Sequence, residues 1–318
     1  MKRVTLRSAL AILAFAIMAP LIWAAPTSYS FQTIIFPGDT FTQTLGINND
    51  STIAGYHNAT ANQGFTLVLP NMFTPENFPG STMTQVIGIN NTGLTDGFYV
   101  DSGGATHGFS YNGSMYTTVD APGTAFNQLL GINDPGVAAG YSSLDPTGAT
   151  MQRSYITSGG VFTYLDGFLP MGVGNNQATG VNNAGAVSGF FLMGANSTGY
   201  LLVGNTLTQL NVPGSSFTQA LGLNNTGDVV GFYNDSMGGS HGFLWDGSTF
   251  MTIDDPLGIG TTVVNGINDK GQIVGFYVDA NGNVDGFVGT PTPEPSGLVL
   301  LGTGILTGLG VLRRRLSL

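Results

Sequence analysis

An all-β fold, a six-bladed β-propeller of four-stranded blades, is predicted by three features of this sequence. A motif recurs six times at a period in the forties, the composition is rich in glycine and poor in charge, and a strand-like segment precedes the first repeat. The recurring anchor is Gly46-Ile47-Asn48, Gly88-Ile89-Asn90, Gly131-Ile132-Asn133, Gly180-Val181-Asn182, Gly222-Leu223-Asn224 and Gly266-Ile267-Asn268, with spacings of 42, 43, 49, 42 and 44 residues. Only 8% of the 318 residues are charged, whereas glycine alone supplies 49, which favours short strands and tight turns over solvated helices.

Each unit divides by periodicity. Its first strand precedes the anchor, as in Phe217–Leu223, with large residues alternating toward one face. Asn-Asn-x-Gly then makes a turn, because asparagine can bond its own backbone and glycine accepts positive φ. The second strand carries a Gly-aromatic pair in all six units: Gly55-Tyr56, Gly97-Phe98, Gly140-Tyr141, Gly189-Phe190, Gly231-Phe232 and Gly275-Phe276. This pairing predicts close backbone approach at the glycine, with the neighbouring ring wedged between sheets. After a polar loop, the third strand opens on Phe65, Phe109, Tyr155, Tyr200, Phe243 or Phe287, and a fourth, more variable strand ends near a proline.

The last unit stops after its third strand, at Phe287-Val288-Gly289, while Ser30–Gly38 reads as a fourth strand standing before the first anchor. A ring that borrows its first strand to complete its last blade leaves no free edge. A closed propeller is therefore expected rather than an open solenoid, which would need polar capping repeats.

The ends carry an address. Three positive charges in residues 1–7 are followed by an apolar run ending at Ala24-Ala25-Pro26, the pattern of a signal peptide over residues 1–25, which leaves the repeats in residues 26–290. At the other end Pro293-Glu294-Pro295 precedes an apolar helix over 297–312 and then Arg313-Arg314-Arg315. At ~1.5 Å per residue that helix spans about 25 Å, just short of a hydrocarbon core, and the arginines would stay on the cytoplasmic side. The order Pro-Glu-Pro, short glycine-rich helix, arginine cluster resembles the PEP-CTERM sorting signal over residues 291–318. The resemblance implies an exosortase as export partner, a transient anchor in the inner membrane of a Gram-negative bacterium, and delivery to the cell surface or extracellular matrix. Within the repeats, Gly-Ile-Asn-Asn followed by His241-Gly242-Phe243 resembles the HAF family of extracellular repeats. The equivalents of that histidine are Gln63, His107, Arg153, Thr198, His241 and Asp285.

Charge and composition narrow the chemistry. Between residues 26 and 290 Arg153 and Lys270 are the only basic residues, against seventeen acids, a balance that repels nucleic acid and cannot assemble a three-arginine carboxylate clamp. The absence of cysteine excludes disulfides, thiolate metal sites and a cysteine nucleophile. His57, His107 and His241 fall on different units, so no convergent catalytic set is expected. Gln43, Gln85, Gln128, Gln177 and Gln219 each lie three residues before an anchor glycine, with Val263 in the sixth unit. They read either as hydrogen-bonded links between blades or as a polar ring at one channel mouth that meets sugar hydroxyls. Asp279, Asn281, Asn283 and Asp285 alternate like the start of a calcium loop, but Val284 stands where glycine is required and no bidentate glutamate follows, so a plain hairpin is expected. The sequence is thus read as a non-catalytic exported protein without a cofactor, binding exopolysaccharide or a surface protein. The alternative is a calcium-supported hydrolase or lactonase acting at the channel.

Overall fold

Turns and glycine-rich loops cut the apolar alternation into strands of three to eight residues. Twenty-four of them are found among residues 28–292, the part of the chain that this computed structural model describes, with one 3-10 turn at Asp166–Phe168. The signal peptide expected at residues 1–25 lies outside the described residues, as do Pro293, Glu294, Pro295, the helix at 297–312 and Arg313, Arg314 and Arg315. Among the described residues no helix is long and apolar enough to cross a membrane.

Each unit forms four antiparallel strands. In the fifth these are Thr218–Leu223, Val229–Asn234, Ser240–Trp245 and Phe250–Ile253, in that order across the sheet. The expected strand exchange is present: Tyr29–Ile34 pairs antiparallel with Val284–Pro291, in register from Tyr29 opposite Pro291 to Ile34 opposite Gly286. It becomes the outermost strand of the last blade.

The anchor glycines lie where neighbouring blades touch. A Cβ on Gly222 would stand 2.7 Å from the Asn265 carbonyl and 3.1 Å from the Gly266 Cα, and one on Gly266 would stand 2.5 Å from the Leu45 carbonyl of the first blade. The last contact closes the ring. Just before each anchor the innermost strand carries a β-bulge, at Leu45, Ile87, Leu130, Thr179, Leu221 and Asn265. The extra residue turns each of these side chains into the channel.

Two closed circuits of hydrogen bonds run around the Asn-turn face. The side-chain amide of Asn48 donates to the Asn90 carbonyl, and the relay continues through Asn133, Asn182, Asn224 and Asn268 back to Asn48, at 2.9–3.3 Å. In the second circuit the backbone N–H of Asn49 donates to the Asn91 side chain, and so on through Asp134, Asn183, Asn225 and Asp269 back to Asn49, at 2.7–2.9 Å. The two carboxylates sit three blades apart, and each accepts a side-chain amide from the asparagine on either side. The Asn-Asn pair therefore does more than make a turn. Its first Oδ1 caps the turn, as in Asn224 accepting from Thr226 and Asp228, while the remaining groups tie each blade to the next. The turn itself needs a left-handed residue, supplied by Gly227 at φ 95° and, in the first blade, by Ser51 at φ 62°.

The third-strand aromatics form the interior. Phe65, Phe109, Tyr155, Tyr200, Phe243 and Phe287 are fully buried, each contributing about 1.5–3 kcal/mol relative to exposure. They correct the expectation for the Gly-aromatic pairs. The ring that covers the second-strand glycine comes from the third strand, as Phe243 over Gly231, whereas Tyr56, Phe98 and Phe190 turn toward the channel. Strand alternation explains this, because a residue beside the covered glycine must point to the opposite side.

The direction of the innermost strands assigns the loops to faces. Turns between first and second strands and between third and fourth strands lie on the asparagine face. Connections between second and third strands, and those from blade to blade, lie on the opposite face with the glutamines. Ser28 and Thr292 meet on the asparagine face, where the Thr292 N–H donates to the Ser28 carbonyl at 3.0 Å.

Candidate functional site

The start of each innermost strand sets the glutamines around the wider end of the channel. Gln43, Gln85, Gln128, Gln177 and Gln219 all line one cavity of about 410 Å³, together with Tyr56, Phe98 and Phe190. Its floor is built from the bulge residues Leu45, Ile87, Leu130, Thr179, Leu221 and Asn265. Beyond them the space shrinks to about 80 Å³ between the anchor glycines and about 70 Å³ inside the asparagine mouth. The channel is a cup, open on the glutamine face.

The five amides divide by partner. Gln85 donates to Asn62 at 2.7 Å and Gln177 to Gln152 at 3.0 Å, both across blade boundaries, and the Tyr56 hydroxyl donates to Gln43 at 2.8 Å within one blade. Among the described residues, the side chains of Gln128 and Gln219 make no hydrogen bond. None of the five amides is bonded to neighbouring backbone, so the ring keeps donors and acceptors facing the cup. In the sixth blade the rim position is Val263, and the amide appears two residues further in, at Asn265. Asn265 Nδ2 donates to the Thr44 carbonyl at 3.0 Å. Asn265 escaped the sequence reading, although it stands out in the column Leu45, Ile87, Leu130, Thr179, Leu221, Asn265.

The histidines stay apart on the first, second and fifth blades, each held by carboxylates. His57 Nδ1 lies 2.9 Å from Asp39, His107 Nδ1 lies 2.6 Å from Asp120 and His241 Nδ1 lies 3.0 Å from Asp254. On the other side of the ring, His107 Nε2 is 3.5 Å from Asp101 and His241 Nε2 is 3.4 Å from Asp235. Arg153, at the same repeat position, bonds Asp166 and lies over the Tyr164 ring at 4.2 Å. The common signal is a basic residue followed thirteen positions later by aspartate at the end of the outermost strand. These are bridges between strands.

The Asp279 loop is a hairpin closed on itself. Asp279 Oδ1 accepts the N–H groups of Asn281 and Asn283 at 2.8 Å, and its Oδ2 accepts both side-chain amides. Asp285 is buried in the adjoining strand rather than turned into that loop. The four candidate calcium ligands therefore do not converge. No group of three or more His, Cys, Asp or Glu side chains able to hold a metal is found among the described residues.

Three buried acids were not anticipated: Glu76, Asp96 and Asp255, the last raised by burial against an N–H bond from Leu257. Burial raises the Glu76 carboxyl to about 7 against the Thr95 hydroxyl that bonds it. Burial raises Asp96 to about 8, outweighing N–H bonds from Gly88 and Gly131, and its Oδ2 has no partner. For His107 and His241, burial favours the neutral ring, but Asp120 with Asp101, and Asp254 with Asp235, outweigh it and raise both. These five groups, and Asp285, which burial also raises, hold protons more tightly in the fold than in the unfolded chain. Their stabilisation is complete below the unfolded values, about 4 for carboxyls and 6.5 for histidine, and is lost as pH rises through the folded values. For Asp134 and Asp269 burial acts upward, but the asparagine hydrogen bonds hold both carboxyls below their ordinary value, so their contribution is lost as pH falls. Maximum stability is accordingly expected near pH 5, with a lower urea midpoint at pH 8 and a smaller drop in Asp96→Asn; equal midpoints at both pH values would contradict this.

Comparison with known proteins gives no matching family model and no matching curated protein. Among solved structures the chain is similar to the six-bladed propeller lectin of Aleuria aurantia, solved with Fucα1-6GlcNAc, at 12% identity, covering 81% of this chain and 99% of the lectin with a TM-score of 0.46. It is also similar to virginiamycin B lyase from Staphylococcus aureus, at 10% identity, 81% and 88% coverage and a TM-score of 0.45. A third similarity is to the Trypanosoma rangeli sialidase, at 9% identity with a TM-score of 0.48, where the match covers 88% of this chain and 57% of that one. At these identities the reading of the site rests on its own residues.

Proposed function

We propose that this chain is a non-catalytic, exported binding protein that holds a glycan in the glutamine cup. The observation that carries the proposal is the lining itself: five amides and three aromatic rings around one cavity of about 410 Å³, two of the amides without a hydrogen-bond partner among the described residues. Amides bond hydroxyls in either direction, and aromatic faces pack against the C–H face of a sugar ring. The partner class is the exopolysaccharide of the cell that makes the protein. Its route to that polymer is the one implied by the ends of the sequence: a signal peptide, then a PEP-CTERM segment recognised by an exosortase through Pro293, Glu294 and Pro295.

Binding of the purified protein to that exopolysaccharide tests the reading. The double variant Gln128→Ala, Gln219→Ala is expected to bind about tenfold more weakly, two lost hydrogen bonds at ~1 kcal/mol each being partly replaced by water, with its thermal midpoint unchanged. Wild-type affinity in the double variant would remove the cup from the proposal. Intact-mass measurement of the released protein tests the route, since a product retaining Arg313–Arg315 has not been processed.

A further inference from the structure

The cup also specifies which sugars it takes, an inference that rests on the glycan reading above. None of its fourteen lining side chains is ionised: they are five glutamines, Asn265, Thr179, three aromatics and four aliphatic residues. The face around it carries part-exposed carboxylates at Asp39, Asp101, Asp235 and Asp279. A uronate, sulfate or phosphate would meet repulsion at the rim and find no counter-charge inside. A neutral sugar would meet neither cost.

The floor adds direction. Leu45, Ile87, Leu130 and Leu221 are aliphatic, and the Thr179 hydroxyl is committed to the Ala220 carbonyl at 2.9 Å. The Asn265 side chain lines the cup, and with its Nδ2 on the Thr44 carbonyl its Oδ1 accepts no hydrogen bond among the described residues. Because the space beyond narrows to about 80 Å³, a polymer cannot thread through and must enter by an end.

We infer that the cup binds the uncharged terminal residue of a glycan, inserted end-on, with Asn265 Oδ1 accepting one of its hydroxyls and the aliphatic floor packing the rest. Asn265 is then the specificity-determining residue of the site, and the replacement of rim Gln by Val263 in the same blade sets that side of the cup apart from the other five.

Calorimetry on the full-length protein tests this with methyl glycosides of neutral hexoses and 6-deoxyhexoses set against the matching methyl uronides. Expected are binding of at least one neutral glycoside, at least tenfold weaker binding of its uronide, and at least tenfold loss in Asn265→Leu. Leucine occupies the same position in three other blades, so that variant should fold. Asn265→Gln, which keeps an amide, is expected to recover part of the loss, and this separates recognition from a mere packing defect. Uronide binding equal to or tighter than the neutral match, or unchanged affinity in Asn265→Leu, overturns this inference while leaving a glycan site in place. Failure of every neutral glycoside and of the exopolysaccharide overturns both.

Discussion

Gly231→Ala is expected to lower stability by about 3 kcal/mol, read as a fall in the urea midpoint. An alanine Cβ there would stand 1.9 Å from the Gln219 carbonyl and 2.9 Å from the Phe243 ring. The carbonyl belongs to a paired innermost strand and the ring is fully buried, so neither can retreat without disturbing the cup rim at Gln219 or the blade interior. The equivalent glycines in the other five blades meet a carbonyl at 1.9–2.2 Å, so the result should transfer to Gly55, Gly97, Gly140, Gly189 and Gly275. Gly167 has nothing within 4 Å of its would-be Cβ and no positive φ, so Gly167→Ala should stay within ~0.5 kcal/mol of the parent. A Gly231→Ala midpoint equal to that of Gly167→Ala would defeat the close-approach explanation.

Starting the chain at Pro37 is expected to have a larger effect, the loss of a single cooperative unfolding transition. The missing strand contributes six paired positions, a buried Ile34 and Phe31, whose ring meets Phe287 edge-on at 5.4 Å. Burial of those two side chains alone is worth about 1.5–3 kcal/mol each, less in proportion for the half-buried Phe31. Without them Val284–Pro291 becomes an open, apolar edge, the kind that recruits other chains. Light scattering should rise, and a peptide of residues 28–36 added in excess should restore the transition. A shortened chain that melts once, at the parent temperature, would show that ring closure contributes nothing to stability.

The repeat and the strand exchange could be read directly because both are periodic signals: an anchor recurring every 42 to 49 residues, and a surplus strand at one end matched by a deficit at the other. The glutamine row was legible for the same reason. The two asparagine circuits were not, because each bond joins residues one whole unit apart, and the turn within a unit already accounted for Asn224 and Gly227. The carboxylate partners of His107, Arg153 and His241 stand past the end of the neighbouring strand, thirteen residues on, where nothing local marks them as partners, although that constant separation is present in the sequence. Asp96 gave the faintest trace, a single acid in a column otherwise holding Ala54, Ala139, Ser188, Val230 and Val274; only the packed structure shows it buried between blades. Asn265 was missed because it is a departure from the repeat, and such departures are where this chain differs from its own symmetry.

Both ends of the described chain lie on the asparagine face, whereas the cup opens on the other. A load drawn on a bound polymer and resisted through Thr292 would pass from face to face along Val284–Pro291. That strand is flanked on one side by Tyr29–Ile34 and on the other by Ile273–Val278. Force in that direction shears two ladders of hydrogen bonds at once instead of peeling them singly. Under such a load the borrowed first strand would double the ladders that hold Val284–Pro291.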